Sequence, residues 1–332
     1  MMDTPYFTGP FAPMCEMFAA QKRAAGILYD SQAKRLRQFD NFCKEREIVE
    51  YSITEELMAA YSLRRLNESD NARRDRIYIV RAFADFLTRQ GYPSYVIPEL
   101  PKRGEPHKPY VFTKDEMRRI FNRLDELNPS SFTTMPIMFP VLFRTLYGCG
   151  LRISEALSLT KGDVDIEAGT LNIRQGKNGH ERINPMSASL VEEYRRFLLA
   201  EHSETGDDMP LLYNKNRESF ARVTVDKQFR NILWDVGIPY LGPNAGPRVH
   251  DIRHTFMCHN IQAWAEAGIP IYSKLPILSK YVGHTSISAT QWYLRLTAQA
   301  YPHIRKICEN ELGGMYAGIL DTAGFKGVCD DE

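Results

Sequence analysis

The chain has 332 residues, of which 43% are hydrophobic and 25% charged, and its formal net charge is +1. This length predicts two domains, and the ordinary composition gives no reason to expect disorder. No apolar run reaches the ~18 residues of a membrane span, and the N-terminus lacks a basic-then-apolar signal pattern, so we expect no membrane partner. Six cysteines without a CxxC pair indicate reduced thiols in a cytoplasm.

The first predicted domain, residues 14–98, has helical periodicity. Leu36, Phe39 and Cys43 are spaced as one buried stripe of a helix. Ser69 is placed to cap a further helix, whose apolar face stops at a glycine. These patterns predict a small all-helical module.

A segment rich in proline and basic residues follows at 99–112 and predicts an extended linker, because proline removes backbone donors and disfavours helix in its predecessor. Thr113 and Glu116 form a capping-box pattern that opens the second domain, predicted at 113–308 and followed by a tail at 309–332.

The second domain is predicted to be helical apart from one strand-rich interruption. Residues 136–147 are apolar nearly all round and indicate a buried helix. DVDIEAGTLNIRQGKNGHERINPM switches to short period-two runs with turns, which predicts an antiparallel sheet of two or three strands. Further helices are expected at 187–201, at 219–236 and from HDIRHTF onward. The expected fold class is therefore mainly α with a small antiparallel β-sheet.

Charged residues recur at the predicted element starts and turns of this domain. Guanidinium groups match phosphate oxygens bidentately and stay charged, and a helix that begins near His250 offers backbone amides to an anion. No GxxxxGK[ST] sequence is present, so the phosphate is not expected to be that of a nucleoside triphosphate. Together with one tyrosine, the candidate set comprises Arg152, Glu155, Lys177, His250, Arg253, His284 and Tyr293.

Four sequence boxes in this set resemble the signatures of the tyrosine recombinases, the phage-integrase family. The boxes are YGCGLRISEAL, GKNGHER, HDIRHTF and YVGHTSISATQWYL, and they occur in the family's order. The resemblance spans about residues 113–300, and the preceding module resembles the family's core-binding (SAM-like) domain. It implies a Xer-like or transposon-type two-domain recombinase that cuts and rejoins DNA.

The resemblance implies a role for each matching position. Tyr293 would attack a DNA phosphodiester and form a 3′-phosphotyrosyl link, while Arg152 and Arg253 would clamp the scissile phosphate. A phenol has a pKa of about 10, so it needs a base or a cationic surround to attack at neutral pH.

The remaining positions would support that step. Lys177 in the hairpin turn would protonate the departing 5′-oxygen, with His180 and Arg182 as nearby alternates. His250 would accept and return the proton of the tyrosine, His284 would hydrogen-bond a non-bridging oxygen, and Glu155 would orient its neighbours. No cofactor is expected, because the covalent link stores the energy of the broken bond.

The implied partner is double-stranded DNA with inverted-repeat core sites, gripped on opposite sides by the two domains. No separate arm-binding module is evident before residue 14, which favours such simple sites. We expect a monomer or dimer off DNA and a homotetramer in the synaptic complex. The expected location is the bacterial cytoplasm, in association with the nucleoid, and accessory recombination proteins are further candidate partners. Integration, excision, transposition and dimer resolution all remain open as the biological role.

Basic clusters outside the boxes are candidate phosphate contacts, although a solvated surface is the simpler interpretation of each cluster. If they bind DNA, binding should weaken steeply as salt rises. The candidates are Lys34, Arg35, Arg37, Arg73, Arg74, Arg76, Lys102 and Arg103.

Two other classes of protein stay open. His250, His254 and Cys258 lie four apart and imitate metal ligands of a zinc hydrolase, but Arg253 between them would repel a dication. His254 and Cys258 are then expected to be packing residues. A non-catalytic DNA-binding protein on the same scaffold is the second alternative.

The segment after Tyr293 has a helical apolar pattern that ends at Gly313. In the family, a helix beyond the nucleophile packs into a neighbouring protomer. We expect the same here, with a helix folded back onto its own chain as the alternative.

Overall fold

The structure is a computed structural model, and it describes residues 6–104, 109–174, 181–240, 242, 246–284, 292–294, 296–297 and 301. The chain divides into two compact units, Met1–Glu105 and Pro106–Glu332. Within the described ranges, no helix is long and apolar enough to cross a membrane. Lys177 and the predicted C-terminal helix lie outside the described residues.

The described part of the first unit contains four helices around an aromatic core. The side chains of Thr54 and Ser69 accept hydrogen bonds from the first turns of the third and fourth helices. Phe11, Phe18 and Phe83 are buried at its centre, with ring centroids less than 6 Å apart for Phe11–Phe83 (5.9 Å) and Phe18–Phe83 (5.6 Å). The helices are α1 (Ala12–Ala24), α2 (Asp30–Lys44), α3 (Glu55–Ser62) and α4 (Asp70–Arg89).

The second unit is also mainly helical. Thr113 and Glu116 form the predicted capping box at the start of its first helix. The helix Ile271–Val282 was not predicted, since Pro276 interrupts the helical pattern inside it. Its described helices are α5 (Lys114–Asp125), α6 (Met135–Cys149), α7 (Ile153–Leu157), α8 (Ala188–Glu201), α9 (Arg222–Asp235), α10 (His250–Glu266) and α11 (Ile271–Val282).

Three short strands interrupt the helices and form an antiparallel sheet in the order β1-β2-β3. They are β1 (Val164–Asp165), β2 (Thr170–Ile173) and β3 (Arg182–Pro185). Arg182, the first residue of β3, pairs with Ile173 at the end of β2. The predicted fold class, mainly α with a small antiparallel sheet, is confirmed.

Helix α10 is buried along most of its length. It packs against α6 and α11. Gly150 joins α6 to α7 with a φ of +59°, and a Cβ atom there would lie 2.4 Å from the ring of Phe256 on α10. The glycine therefore lets the start of α7 approach α10 closely.

Candidate active site

Arg152 and Glu155 lie at the start of α7 and bind each other. Arg152 is the N-cap residue, and its backbone N–H donates to Glu155 Oε2 at 2.9 Å. Its guanidinium Nη1 donates to Glu155 Oε1, also at 2.9 Å. Both side chains are buried, so the carboxylate fixes the position of the guanidinium group.

Arg182 brings a second guanidinium group to the same carboxylate. Its Nη1 and Nη2 atoms donate to Glu155 Oε1 and Oε2 at 2.9 and 2.8 Å. Its Nε atom donates to the backbone carbonyl of Tyr281 at 3.0 Å. The sequence offered Arg182 only as an alternate to Lys177, whereas the structure makes it the link between β3, α7 and α11.

Arg253 on α10 is fully buried, and it connects two further segments. Nη1 donates to the carbonyl of Gly150 at 2.7 Å, and Nη2 donates to the carbonyl of Val282 at 2.8 Å. These bonds hold the glycine turn before α7 and the end of α11 against α10. Sequence segments more than a hundred residues apart therefore meet around one buried side chain.

The environment of Glu155 keeps it ionised. Burial by itself would raise the pKa of this carboxyl, but the hydrogen bonds and charge of Arg182, the charge of Arg253 and the backbone N–H of Arg152 together lower the pKa. A carboxylate at this point partly offsets the positive charge of the three arginines.

Tyr293 lies among histidines of two other segments and is only 3% exposed. Its hydroxyl group is 2.9 Å from Nδ1 of His254. Its ring stacks on the ring of His284, with centroids 5.7 Å apart. The ring of His250 lies edge-on to that of His254, with centroids 4.7 Å apart. The described residues of the candidate set thus gather from separate parts of the chain.

His254 departs from its expected role. It is buried, as a packing residue would be, but it also contacts the hydroxyl group of Tyr293. Its spacing of four residues from His250 was the only signal in the sequence. Cys258 is fully buried, and the described residues contain no group of three or more His, Cys, Asp or Glu side chains that could hold a metal ion.

The profile of the phage integrase family matches residues 110–300. The chain belongs to the phage integrase family. It is 30% identical over 295 residues to the integrase/recombinase y4rB of Sinorhizobium fredii, which covers 86% of this chain and 92% of that protein. It is also 30% identical over 233 residues to the tyrosine recombinase XerA of Thermococcus onnurineus, which covers 70% of this chain and 73% of that one.

A solved structure has the same fold. The XerH site-specific recombinase, bound to its difH substrate in a pre-cleavage complex, superposes with a TM-score of 0.59. The match covers 86% of this chain and 83% of XerH, at 20% sequence identity. The predicted family and class of activity are confirmed: the protein is a tyrosine-type site-specific DNA recombinase.

A basic cavity of about 200 Å³ adjoins His250 in the recombinase. Arg222 and Arg230 on α9 and Arg248 just before α10 line it together with the histidine. Asp226 on α9 also lines the cavity and pairs with Arg222 at 3.6 Å. The guanidinium of Arg230 lies 5.6 Å from the ring centroid of Tyr240. Three arginines against one carboxylate leave the lining of the cavity with a net positive charge beside His250.

Arg76 corrects one of the predicted DNA contacts in the first unit. It is 2% exposed, and its guanidinium is bound by Glu68 and by the carbonyls of Tyr61 and Leu63. A buried guanidinium in this position does not reach a DNA phosphate, so this prediction was wrong.

The other basic candidates of the first unit differ in exposure. Arg73 and Arg74 are half-buried and donate to the carbonyls of Ser62 and Pro101, and Arg35 pairs with Asp75 at 3.1 Å. Four candidates have exposed side chains: Lys34, Arg37, Lys102 and Arg103.

Proposed function

We propose that the recombinase cuts DNA by attack of Tyr293 on the scissile phosphodiester. The bond from phosphorus to the 5′-oxygen breaks, and a 3′-phosphotyrosyl bond forms in its place. The supporting observation is that the Tyr293 hydroxyl group lies 2.9 Å from a buried histidine on the same helix as Arg253. Attack of the freed 5′-hydroxyl of a partner strand reverses the step and rejoins the DNA, so no external energy source is needed.

The arginines supply the electrostatic part of the reaction in this proposal. Arg152 and Arg253 bind the phosphate oxygens, where negative charge increases in the transition state. Both groups are buried and anchored by protein oxygens, so they need little reorganisation when the phosphate arrives. His284 donates to a non-bridging oxygen, and Lys177 gives its proton to the departing 5′-oxygen.

In this proposal the histidines take the proton from the Tyr293 hydroxyl group. A phenol with a pKa near 10 is almost wholly protonated at neutral pH, so a nearby base must take its proton during attack. His254 already lies at hydrogen-bond distance from the hydroxyl group, and the ring of His250 adjoins that of His254. We propose that His254 holds the resting hydroxyl group and that His250 completes the proton transfer at the phosphate.

The decisive experiment compares two tyrosine variants on a nicked DNA substrate that traps the covalent complex. Tyr293→Phe should abolish the denaturant-resistant protein–DNA adduct and leave DNA affinity unchanged. Tyr301→Phe is the matched control, because Tyr301 also bonds a buried histidine of α10, with 3.0 Å from its hydroxyl group to His259 Nε2. It should still form the adduct.

Two outcomes would contradict the proposal. An adduct formed by Tyr293→Phe would show that another nucleophile acts. A wild-type protein that binds its site without any adduct would favour the alternative of a non-catalytic DNA-binding protein on the same scaffold.

We further propose that the basic cavity and the exposed basic residues of the first unit contact DNA phosphates. Arg222, Arg230 and Arg248 would hold the backbone beside the scissile phosphate, since His250 shares their cavity. Removing one arginine that binds a phosphate should flatten the dependence of log K on log salt by about one unit. Arg222→Gln and Arg230→Gln should show that change, whereas Arg195→Gln on α8, an exposed arginine paired with Glu192, should not.

The assembly is part of the proposal as well. A homotetramer on two paired inverted-repeat sites, with the helix after Tyr293 docked on a neighbouring protomer, agrees with the family's architecture. Cytoplasmic location at the nucleoid and the involvement of accessory proteins stay predictions.

A further inference from the structure

Arg182 bonds both a side chain and a backbone carbonyl of the site, and it has no role among those proposed above. It begins β3, and its side chain is 12% exposed. It donates to both oxygens of Glu155 and to the carbonyl of Tyr281. A single guanidinium group thus joins the sheet, the start of α7 and the end of α11.

The first consequence concerns charge. Glu155 is the carboxylate that also binds Arg152, and its bidentate pair with Arg182 is geometrically the stronger of the two. Without Arg182, Arg152 would be the remaining guanidinium group bonded to Glu155 among those described, and the carboxylate would offset more of its positive charge. With it, two guanidinium groups bond the carboxylate and the charge of Arg253 acts on it as well, so the four side chains keep a formal surplus of positive charge for a phosphate.

The second consequence concerns the position of His284. The last carbonyls of a helix carry partial negative charge and lack intrahelical donors. Arg182 binds the carbonyl of Tyr281 and Arg253 binds that of Val282, so two guanidinium groups hold the end of α11. The chain then turns at Gly283, where φ is +71° and a Cβ atom would lie 2.9 Å from Arg182 Nη1. His284 follows directly.

We propose that Arg182 is a positioning residue for phosphoryl transfer. It neutralises Glu155 so that Arg152 keeps its charge for the phosphate, and it fixes the turn that carries His284. This inference rests on the proposed roles of Arg152 and His284. Lysine would not replace it, because one ammonium group does not span both carboxylate oxygens and a carbonyl with fixed geometry.

The test uses a charge-compensating pair in the full-length protein. The single-turnover rate of adduct formation is measured at saturating DNA for Arg182→Gln, Arg182→Lys, Glu155→Gln and the Arg182→Gln/Glu155→Gln double variant. Arg182→Gln should slow adduct formation roughly tenfold or more, with DNA affinity unchanged. The double variant should recover several-fold, because the unbalanced carboxylate is gone, and Arg182→Lys should lie between Arg182→Gln and the wild type.

The controls separate charge from folding. Arg195→Gln should keep the wild-type rate, and thermal melting of each variant reports its folded fraction. If Arg182→Gln does not fold, the rate of Arg182→Lys is compared with that of the Arg182→Lys/Glu155→Gln double variant. Because lysine keeps the positive charge at residue 182, adding Glu155→Gln should not increase the rate of adduct formation.

Three results would overturn the inference. They are a wild-type rate in Arg182→Gln, a double variant no faster than Arg182→Gln, and recovery of Arg182→Lys by Glu155→Gln. In all of these the wild-type protein still forms its Tyr293 adduct. If the wild type forms no adduct, the proposed function itself has failed.

Discussion

Each of the two units buries an arginine against a glutamate, and the two arrangements differ in charge balance. In the first unit, Arg76 Nε and Nη2 bond the two oxygens of Glu68 at 2.7 and 2.8 Å, and the remaining donors meet backbone carbonyls. In the second unit, Glu155 is shared by Arg152 and Arg182, and Arg253 also lowers its pKa.

The difference shows what each cluster does. The charge-balanced pair of Arg76 and Glu68, which also bonds the carbonyls of Tyr61 and Leu63, holds α3 and α4 together and leaves no net charge for a ligand. A buried surplus of positive charge costs folding free energy, because desolvated charges are expensive unless they are compensated. Such a surplus agrees with the proposed binding of an anion, the DNA phosphate, at this cluster.

The largest effect on stability is expected in the first unit. Arg76→Ala leaves the carboxylate of Glu68, whose side chain is 9% exposed, with the backbone N–H of Arg65 but without its guanidinium partner, which should lower the free energy of unfolding by about 3–5 kcal/mol. Denaturant titration measures the loss. The control is Arg35→Ala, whose pair with Asp75 is exposed and should contribute no more than about 1 kcal/mol. Equal losses in the two variants would remove the distinction between buried and exposed pairs.

The second prediction concerns the cluster of Arg152, Glu155, Arg182 and Arg253, where we expect a large effect on activity and a small effect on stability. Arg152→Gln should slow adduct formation by roughly 10²–10³-fold, as expected for the loss of a donor that stabilises transition-state charge. Because it removes one of several like charges and leaves Glu155 paired with Arg182, the free energy of unfolding should change by less than about 1 kcal/mol. Single-turnover kinetics measures the rate of adduct formation, and denaturant titration measures the free energy of unfolding. A destabilisation as large as that of Arg76→Ala would mean that the two clusters do not differ as described.

The smallest effect is a difference in acid sensitivity. All eight histidines and all three tryptophans follow residue 105, so protonation of histidine and tryptophan fluorescence both report the second unit. Burial lowers the pKa of His202 and of His259. The unfolded chain therefore takes up protons first as pH falls below about 6.5, and the stability that these neutral histidines contribute is lost there.

Tryptophan fluorescence should detect a decrease in the stability of the second unit between pH 7 and pH 5. Hydrogen exchange of peptides from residues 6–104 should detect no loss of stability caused by histidine protonation, because the first unit contains no histidine. His202→Gln should weaken the pH dependence, since His202 bonds Thr205 Oγ1 and the carbonyl of Leu211. A pH dependence unchanged in His202→Gln would exclude this residue as its source.

Much of the fold was predictable because its signals are local. Caps at Ser69 and Thr113, the buried helix that became α6 and the period-two runs of the sheet each depend on neighbouring residues. The wrong prediction at Arg76 also has a local cause. Arg76 lies four and seven residues before the buried Val80 and Phe83, so it shares the inner face of α4, and its charge concealed that spacing.

The order and spacing of four short boxes were enough to identify the family, since those boxes are read directly from the chain. Side-chain pairing is different, because it depends on where distant backbone segments meet. Arg182 and Glu155 are 27 positions apart, and Arg253 and Gly150 are 103 apart. No periodicity or cap encodes such pairs. Only the packing of distant segments decided that Glu155 is shared, that Arg182 joins the cluster and that His254 meets Tyr293.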